Sequence, residues 1–174
     1  MTEPPGLHIR RAVPADEPFL TDLAARTFRD AFGRDNSPDD LELHVRTHYT
    51  SELMAAELTN PDWITLVADV NGIAAGYAQL LTRDPPTPIG PGGLMLHRFY
   101  LEQAWIGKGV SQPLMAAVRS AALERRASFL WLTVWERNPR AIAFYRKCGF
   151  TSAGLTTFCV GNDAQTDLVM TLPL

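Results

Sequence analysis

The chain has 174 residues, 46% of them hydrophobic, which is enough for one sizeable core and predicts one domain over residues 1–174. With 16 basic against 19 acidic residues and a formal net charge of −3, it lacks the basic excess that a nucleic-acid partner demands. The opening MTEPPGLHIRRA shows no basic-then-apolar leader, and no apolar run approaches the roughly 18 residues of a membrane span, so a cytoplasmic protein with no membrane partner is expected.

In chain order, residues 7–12 alternate apolar and polar side chains and predict a first strand. Pro14, Asp16 and Glu17 then suit a helix start. From there to about Phe32, the residues Phe19, Leu20, Leu23, Ala24, Thr27, Phe28 and Ala31 recur at spacings of three and four, as one buried helix face requires, and Gly33 ends the helix. Ser37-Pro38-Asp39-Asp40 supplies a cap, a proline for the first turn and two acids, starting a second helical region that breaks near Thr50 and runs to Leu58. Residues 63–70 and 73–81 are β-rich, and Asn71-Gly72 between them tolerates the positive φ angles of a two-residue hairpin. The proline- and glycine-rich residues 83–93 predict a long loop within one sheet, followed by a strand at 94–101. Helical spacing over 110–126, a strand at 129–135, a short helix at 138–147 and two closing strands complete the chain.

Metal chemistry is not expected. Cys148 and Cys159 lack ligand spacing and read as reduced thiols, while His44 and His48, one helical turn apart, have no Glu between them and read as helix surface.

The strand at 94–101 runs into Trp105-Ile106-Gly107-Lys108-Gly109-Val110-Ser111-Gln112 and then directly into a helix. Glycines let a backbone approach a phosphate closely, and the bare amides and positive end of a helix favour an anion. Lys108 adds charge. Taken alone, the spacing fits a plain tight turn as well as a diphosphate site. It matches neither G-x-x-x-x-G-K-[ST] nor the three-glycine dinucleotide fingerprint. Downstream, Asn138-Pro139-Arg140-Ala141-Ile142-Ala143-Phe144-Tyr145 sets an asparagine at a helix cap and a tyrosine two turns later, followed by Gly149-Phe150.

On these residues the sequence resembles the GNAT superfamily of acyl-CoA-dependent N-acetyltransferases, whose pattern is a strand, a glycine-rich pyrophosphate loop, a helix, a strand and then N-x-x-A-x-x-F-Y-x-x-x-G-F. Further segments, Thr27-Phe28-Arg29-Asp30-Ala31-Phe32, Asn36-Ser37-Pro38, Trp135-Glu136-Arg137-Asn138 and Gln165-Thr166-Asp167-Leu168, look like bacterial spermidine/spermine N-acetyltransferases of the PaiA type. The resemblance implies an α/β (α+β) fold, with a mixed, mostly antiparallel sheet of about seven strands flanked by four or five helices. It implies acetyl-CoA as cosubstrate, a small-molecule amine as acceptor, and pairing into a homodimer as one expected assembly. Carried over by position, it puts Phe99, Tyr100 and Leu101 along the pantetheine arm where the fourth strand splays from the fifth. Gly107, Lys108, Gly109, Val110, Ser111 and Gln112 would lie on the pyrophosphate, Asn138 on the pantetheine region, and Tyr145 near the thioester sulfur as general acid. One departure stands out: Ile106 occupies the place where the superfamily usually has Gln or Arg.

A phenol with a pKa near 10 suits the acid's task, because it stays protonated at neutral pH and can donate to a departing thiolate. Read without the loop and Asn138, Tyr145 is a packed helix aromatic. Asn138 fits a helix cap and a cofactor contact equally. The amine must lose a proton to a base or a water chain before attack, and His97, two residues before Phe99 and expected on its face, is the candidate base, with a core or loop-facing histidine as the alternative. Asp35, Asp39, Asp40 and Glu42 read as helix-capping acids ahead of a polyamine patch, the pair Asp163 and Asp167 fits either reading, and Trp131 and Trp135 read as core. Two alternatives stay open: an acetyltransferase for another amine, such as a protein N-terminus, an amino acid or a drug, and a non-catalytic acyl-CoA sensor.

Overall fold

The computed structural model describes residues 2–86 and 89–174. Among these, seven strands form one sheet in the order β1-β2-β3-β4-β5-β7-β6, and five α-helices flank it. The strands are β1 (Leu7–Arg11), β2 (Trp63–Val70), β3 (Ile73–Leu81), β4 (Gly93–Leu101), β5 (Phe129–Trp135), β6 (Thr151–Val160) and β7 (Asp163–Pro173). The helices are α1 (Glu17–Phe32), α2 (Pro38–His48), α3 (Ser51–Thr59), α4 (Ser111–Glu124) and α5 (Pro139–Lys147). Thr87 and Pro88 of the expected loop at 83–93 lie outside the described residues.

Local chemistry accounts for most boundaries. Ser37 accepts a hydrogen bond from the Asp40 amide and starts α2, and Thr50 accepts from the Leu53 amide and starts α3, which is the expected break. Asn71 (φ 54°) and Gly72 (φ 80°) both adopt the left-handed region that a tight hairpin between β2 and β3 requires.

The two faces of the sheet differ. On one, α4 and α5 cover Leu94, Leu96, Phe99 and Leu101 of β4, Leu130, Leu132 and Val134 of β5, and Met170 and Leu172 of β7. On the other, α1, α2 and α3 cover Val67, Tyr77, Tyr100, Phe158 and Val160. Every pairing is antiparallel except β4 with β5, which is parallel and short: it joins only Gly93, Leu94 and Met95 to Phe129, Leu130 and Trp131. Beyond Met95 and Trp131 the two strands diverge, so the side of β4 facing β5 has no ladder partner from Leu96 to Leu101. This is the only interruption between neighbouring strands in the middle of the sheet among the described residues. Unpaired backbone groups in a core need partners, so the gap is a place built for something that can supply them.

Candidate active site

The gap opens toward the residues singled out in the sequence. β4 leads through a 3-10 turn (Gln103–Trp105) into the glycine loop and then α4. Gly107 (φ 78°) and Gly109 (φ 87°) both take left-handed backbone conformations. Gly109 also lies against the Thr2 carbonyl and the Pro4 ring, so a Cβ there would have no room. The Lys108 amide is used within the turn, donating to the Trp105 carbonyl at 3.2 Å. Among the described residues, the amides of Gly107, Gly109, Val110, Ser111 and Gln112 find no backbone acceptor, and no side chain caps α4. A run of free donors at a helix start favours an anion. The Lys108 ammonium rests over the Trp105 ring at 5.6 Å, and Ile106 is exposed, so the loop offers backbone donors with one lysine beside them.

Across the gap, α5 begins where β5 ends. Asn138 caps it, its Oδ1 accepting from the Ala141 amide at 3.0 Å, which leaves the amide NH2 free to donate elsewhere. The helix therefore fixes Tyr145, whose ring packs edge-on to Phe99 (6.4 Å) and Phe150 (5.6 Å), with Phe99 stacked on Phe144 at 5.4 Å. Phe99 and Tyr145 thus meet on the α4–α5 face. Burial pushes the Tyr145 phenol pKa above its ordinary value, so it holds its proton throughout the neutral range.

His97 is placed differently from expectation. Gln79 pairs with Arg98 but Leu80 pairs with Leu96, so His97 is an extra residue in β4, a β-bulge. A bulge resets the alternation of side chains. Phe99 faces α5, whereas the His97 ring meets the edge of Trp63 at 5.2 Å and Arg98 lies over Tyr49 at 4.8 Å, on the α1–α3 face. The expected shared face of His97 and Phe99 is therefore corrected. Burial, with the charges of Arg98, Arg83 and His48, lowers the His97 pKa to about 3, which keeps the imidazole neutral and makes it a poor match for an alkylammonium proton.

The bulge also delivers a residue that the sequence reading passed over. Arg98 is buried and donates to Glu57 (2.6 Å) and Gln79 (2.7 Å), while Gln79 donates to Glu57 (2.9 Å) and Thr65 (3.1 Å). Burial opposes the guanidinium charge, yet Tyr49, Tyr77 and Glu57 hold its pKa above the ordinary value. The available signal was an arginine, next to His97, in the otherwise apolar run Leu94-Met95-Leu96-His97-Arg98-Phe99. Removing Glu57 would leave that charge uncompensated, a loss of about 3–5 kcal/mol.

His44 is buried rather than on the helix surface, stacked between Phe28 (4.5 Å) and His48 (4.2 Å). The capping reading of the acids holds for Asp40, which accepts from the Asn162 amide (2.9 Å) and the Ser37 hydroxyl (2.7 Å). Glu42 is paired with Arg29 at 2.7 and 2.9 Å. Trp131 and Trp135 are both buried. Among the described residues, no group of three or more His, Cys, Asp or Glu is placed to hold a metal ion, and no helix is long and apolar enough to cross a membrane.

The geometry can be compared with known proteins. The profile of the acetyltransferase (GNAT) family matches residues 19–150, which span α1 to the end of α5 and so include the gap, the loop and Tyr145. An uncharacterised N-acetyltransferase of Lactobacillus delbrueckii subsp. lactis is 31% identical over 166 residues, covering 95% of this chain and 96% of its own. Another from Mycobacterium tuberculosis is 34% identical over 156 residues, covering 90% and 95%. The fold matches the crystal structure of a PaiA N-acetyltransferase from Thermoplasma acidophilum in complex with coenzyme A, with a TM-score of 0.79 at 20% identity over 97% of this chain and 99% of that one. A split parallel strand pair beside a glycine loop of free amides thus comes with a matching family profile and relatives of nearly equal length, and the chain belongs to the acetyltransferase (GNAT) family, as an N-acetyltransferase.

Proposed function

We propose that the protein transfers the acetyl group to a primary amine by direct attack, and that the acceptor is a polyamine of the spermidine or spermine kind. The observation carrying the acetyl-transfer reading is the β4–β5 gap, bordered by Phe99, Tyr100 and Leu101, with the loop of free amides at one end and Tyr145 at its wall, while the polyamine acceptor follows from the segments that look like PaiA-type enzymes. Acetyl-CoA supplies the activated thioester. The amides of Gly107, Gly109, Val110, Ser111 and Gln112 bind its pyrophosphate, assisted by the Lys108 ammonium, and the β5-facing backbone of Phe99 to Leu101 together with the free Asn138 amide orients the pantetheine. Water in the gap takes the proton that the acceptor amine loses, since His97 is turned away, and Tyr145, held protonated by its burial, gives its own proton to the thiolate released as the C–S bond breaks. The acceptor amine comes from the α1–α3 face, because Phe99 and Tyr145 occupy the gap's α4–α5 side.

Thiol release measured with acetyl-CoA against spermidine, a small aminoglycoside and a peptide with a free N-terminus tests the proposal. Release with spermidine under sequential kinetics is expected. Ping-pong kinetics with a trapped acetyl-enzyme would overturn direct attack, release with the aminoglycoside or peptide alone would overturn the polyamine assignment, and CoA binding without release from any amine would favour an acyl-CoA sensor.

A further inference from the structure

Most acids engaged in this fold have a visible partner: Asp16 pairs with Arg10, Glu57 with Arg98, Glu42 with Arg29, and Asp40 with Ser37 and the Asn162 amide. Asp167 does not. Its residue is only 4% exposed, no cation pairs with it among the described residues, and its Oδ1 is fully buried without a hydrogen-bond partner. Burial raises its pKa to about 6, helped by the nearby Glu136 charge and opposed in part by the Thr133 hydroxyl. An isolated buried carboxylate is disfavoured in a folded protein unless something arrives to pair with it.

Its position indicates what would arrive. Asp167 sits on β7 directly opposite Trp135 of β5, and directly opposed residues of an antiparallel pair share a face. That face is the one covered by α1 and α2, where Phe32 lies 6.1 Å from Trp135 and 6.5 Å from Phe158, ring centre to ring centre. Along the same face of β7, two and four residues earlier, come Gln165 and Asp163. The Gln165 amide donates to Asp163 at 2.8 Å and also to Asn36, while its Oε1 is buried and unpartnered like the Asp167 oxygen. Asp163 is exposed. The row therefore runs from a solvated carboxylate, through a free amide oxygen, to a buried carboxylate beside aromatic rings, with steps of about 7 Å. Acceptors and aromatic faces without a cation of their own form a receptor for ammonium groups.

We infer that the row Asp163, Gln165 and Asp167 seats the non-reacting ammonium groups of the acceptor, with Asp167 as the inner anchor and Trp135 and Phe32 as its aromatic wall. This rests on the acetyltransferase reading above and adds a selectivity device to it. β7 lies one strand beyond β5, and β5 has already diverged from β4 at the level of Trp135, so the anchor stands more than two strand spacings, at least roughly 10 Å, from the β4 edge along which the thioester is proposed to lie. A diamine or polyamine can span that separation while a short monoamine cannot. Trp135, expected to be core alone, thereby has a second role.

The test is the ratio of kcat/KM for spermidine to that for n-propylamine, in the wild-type chain, Asp167→Asn and Asp167→Glu. A wild-type ratio of at least tenfold is expected, falling at least tenfold in Asp167→Asn and recovering in part in Asp167→Glu, with calorimetric CoA binding reporting that each variant is folded. A wild-type ratio near one overturns the inference without any variant. An unchanged ratio in folded Asp167→Asn overturns it while the acetyltransferase reading stands. No thiol release from any amine by the wild type removes both.

Discussion

An unpaired carboxylate kept in a core should weaken the fold, and Asp167→Asn measures by how much. The group's ordinary pKa of 3.8 is raised to about 6 in the folded chain. About two units at 1.36 kcal/mol each set a ceiling of about 3 kcal/mol, and local relaxation reduces this to about 1–3 kcal/mol. The sign follows from proton counting. Below pH 4 both folded and unfolded chains hold the proton, and the carboxyl has no net effect. Between pH 4 and 6 the folded chain retains a proton that the unfolded chain has lost, so this group makes stability fall as pH rises. Above pH 6 its full destabilisation is present. The isosteric amide cannot ionise, so Asp167→Asn should unfold higher than the wild type at pH 8 and match it at pH 4. For a chain of this size, about 2–4 °C per kcal/mol gives a gain of roughly 2–12 °C. Thermal unfolding followed by circular dichroism at the two pH values suffices, because acids such as Asp16, Asp40 and Glu42 titrate identically in both proteins. A variant that melts at or below the wild type at pH 8 would show that the carboxylate already has a partner and would refute the reasoning. A gain in stability coupled to a loss of selectivity is the trade expected of a binding residue.

Gly109→Ala forces a Cβ against the Thr2 carbonyl in a left-handed backbone conformation, so CoA affinity by calorimetry should fall at least tenfold and stability by about 1–2 kcal/mol; unaltered CoA binding would show that the loop is not the phosphate cradle. Tyr145→Phe keeps the ring packing with Phe99 and Phe150 but removes the proton, and should lower kcat by about 100-fold or more with little change in CoA binding; a retained kcat would dismiss the general acid. His97→Gln should leave the pH–rate profile in place, since burial already keeps that imidazole neutral, and the disappearance of an acidic limb in the variant would restore His97 as the base.

The features legible in the sequence were those whose physics acts over a few residues. Asn71-Gly72 fixed a hairpin because both residues tolerate positive φ, Ser37 and Thr50 marked helix starts through single side-chain caps, and Gly107 and Gly109 marked a loop whose amides stay free. Asn138 could be identified as a cap from its place before Pro139, and the structure shows that bond. With the spacing to Tyr145, these residues were enough to indicate the family. What needed the tertiary structure was every property set by partners distant in the chain. The bulge at His97 depends on how β4 meets β3, and one extra residue there moved a candidate base to the opposite face while burying Arg98 against Glu57. Alternation read along β4 alone could not register it. The insertion of β7 between β5 and β6 placed Asp167 opposite Trp135, and α1 and α2 removed it from water without supplying a cation. The sequence by itself determined where the backbone turns, caps its helices and leaves donors free, since those are energies of neighbouring residues. Only the tertiary structure decided which side chains are buried together and which charge is left unpaired, because desolvation and pairing depend on everything folded around a group.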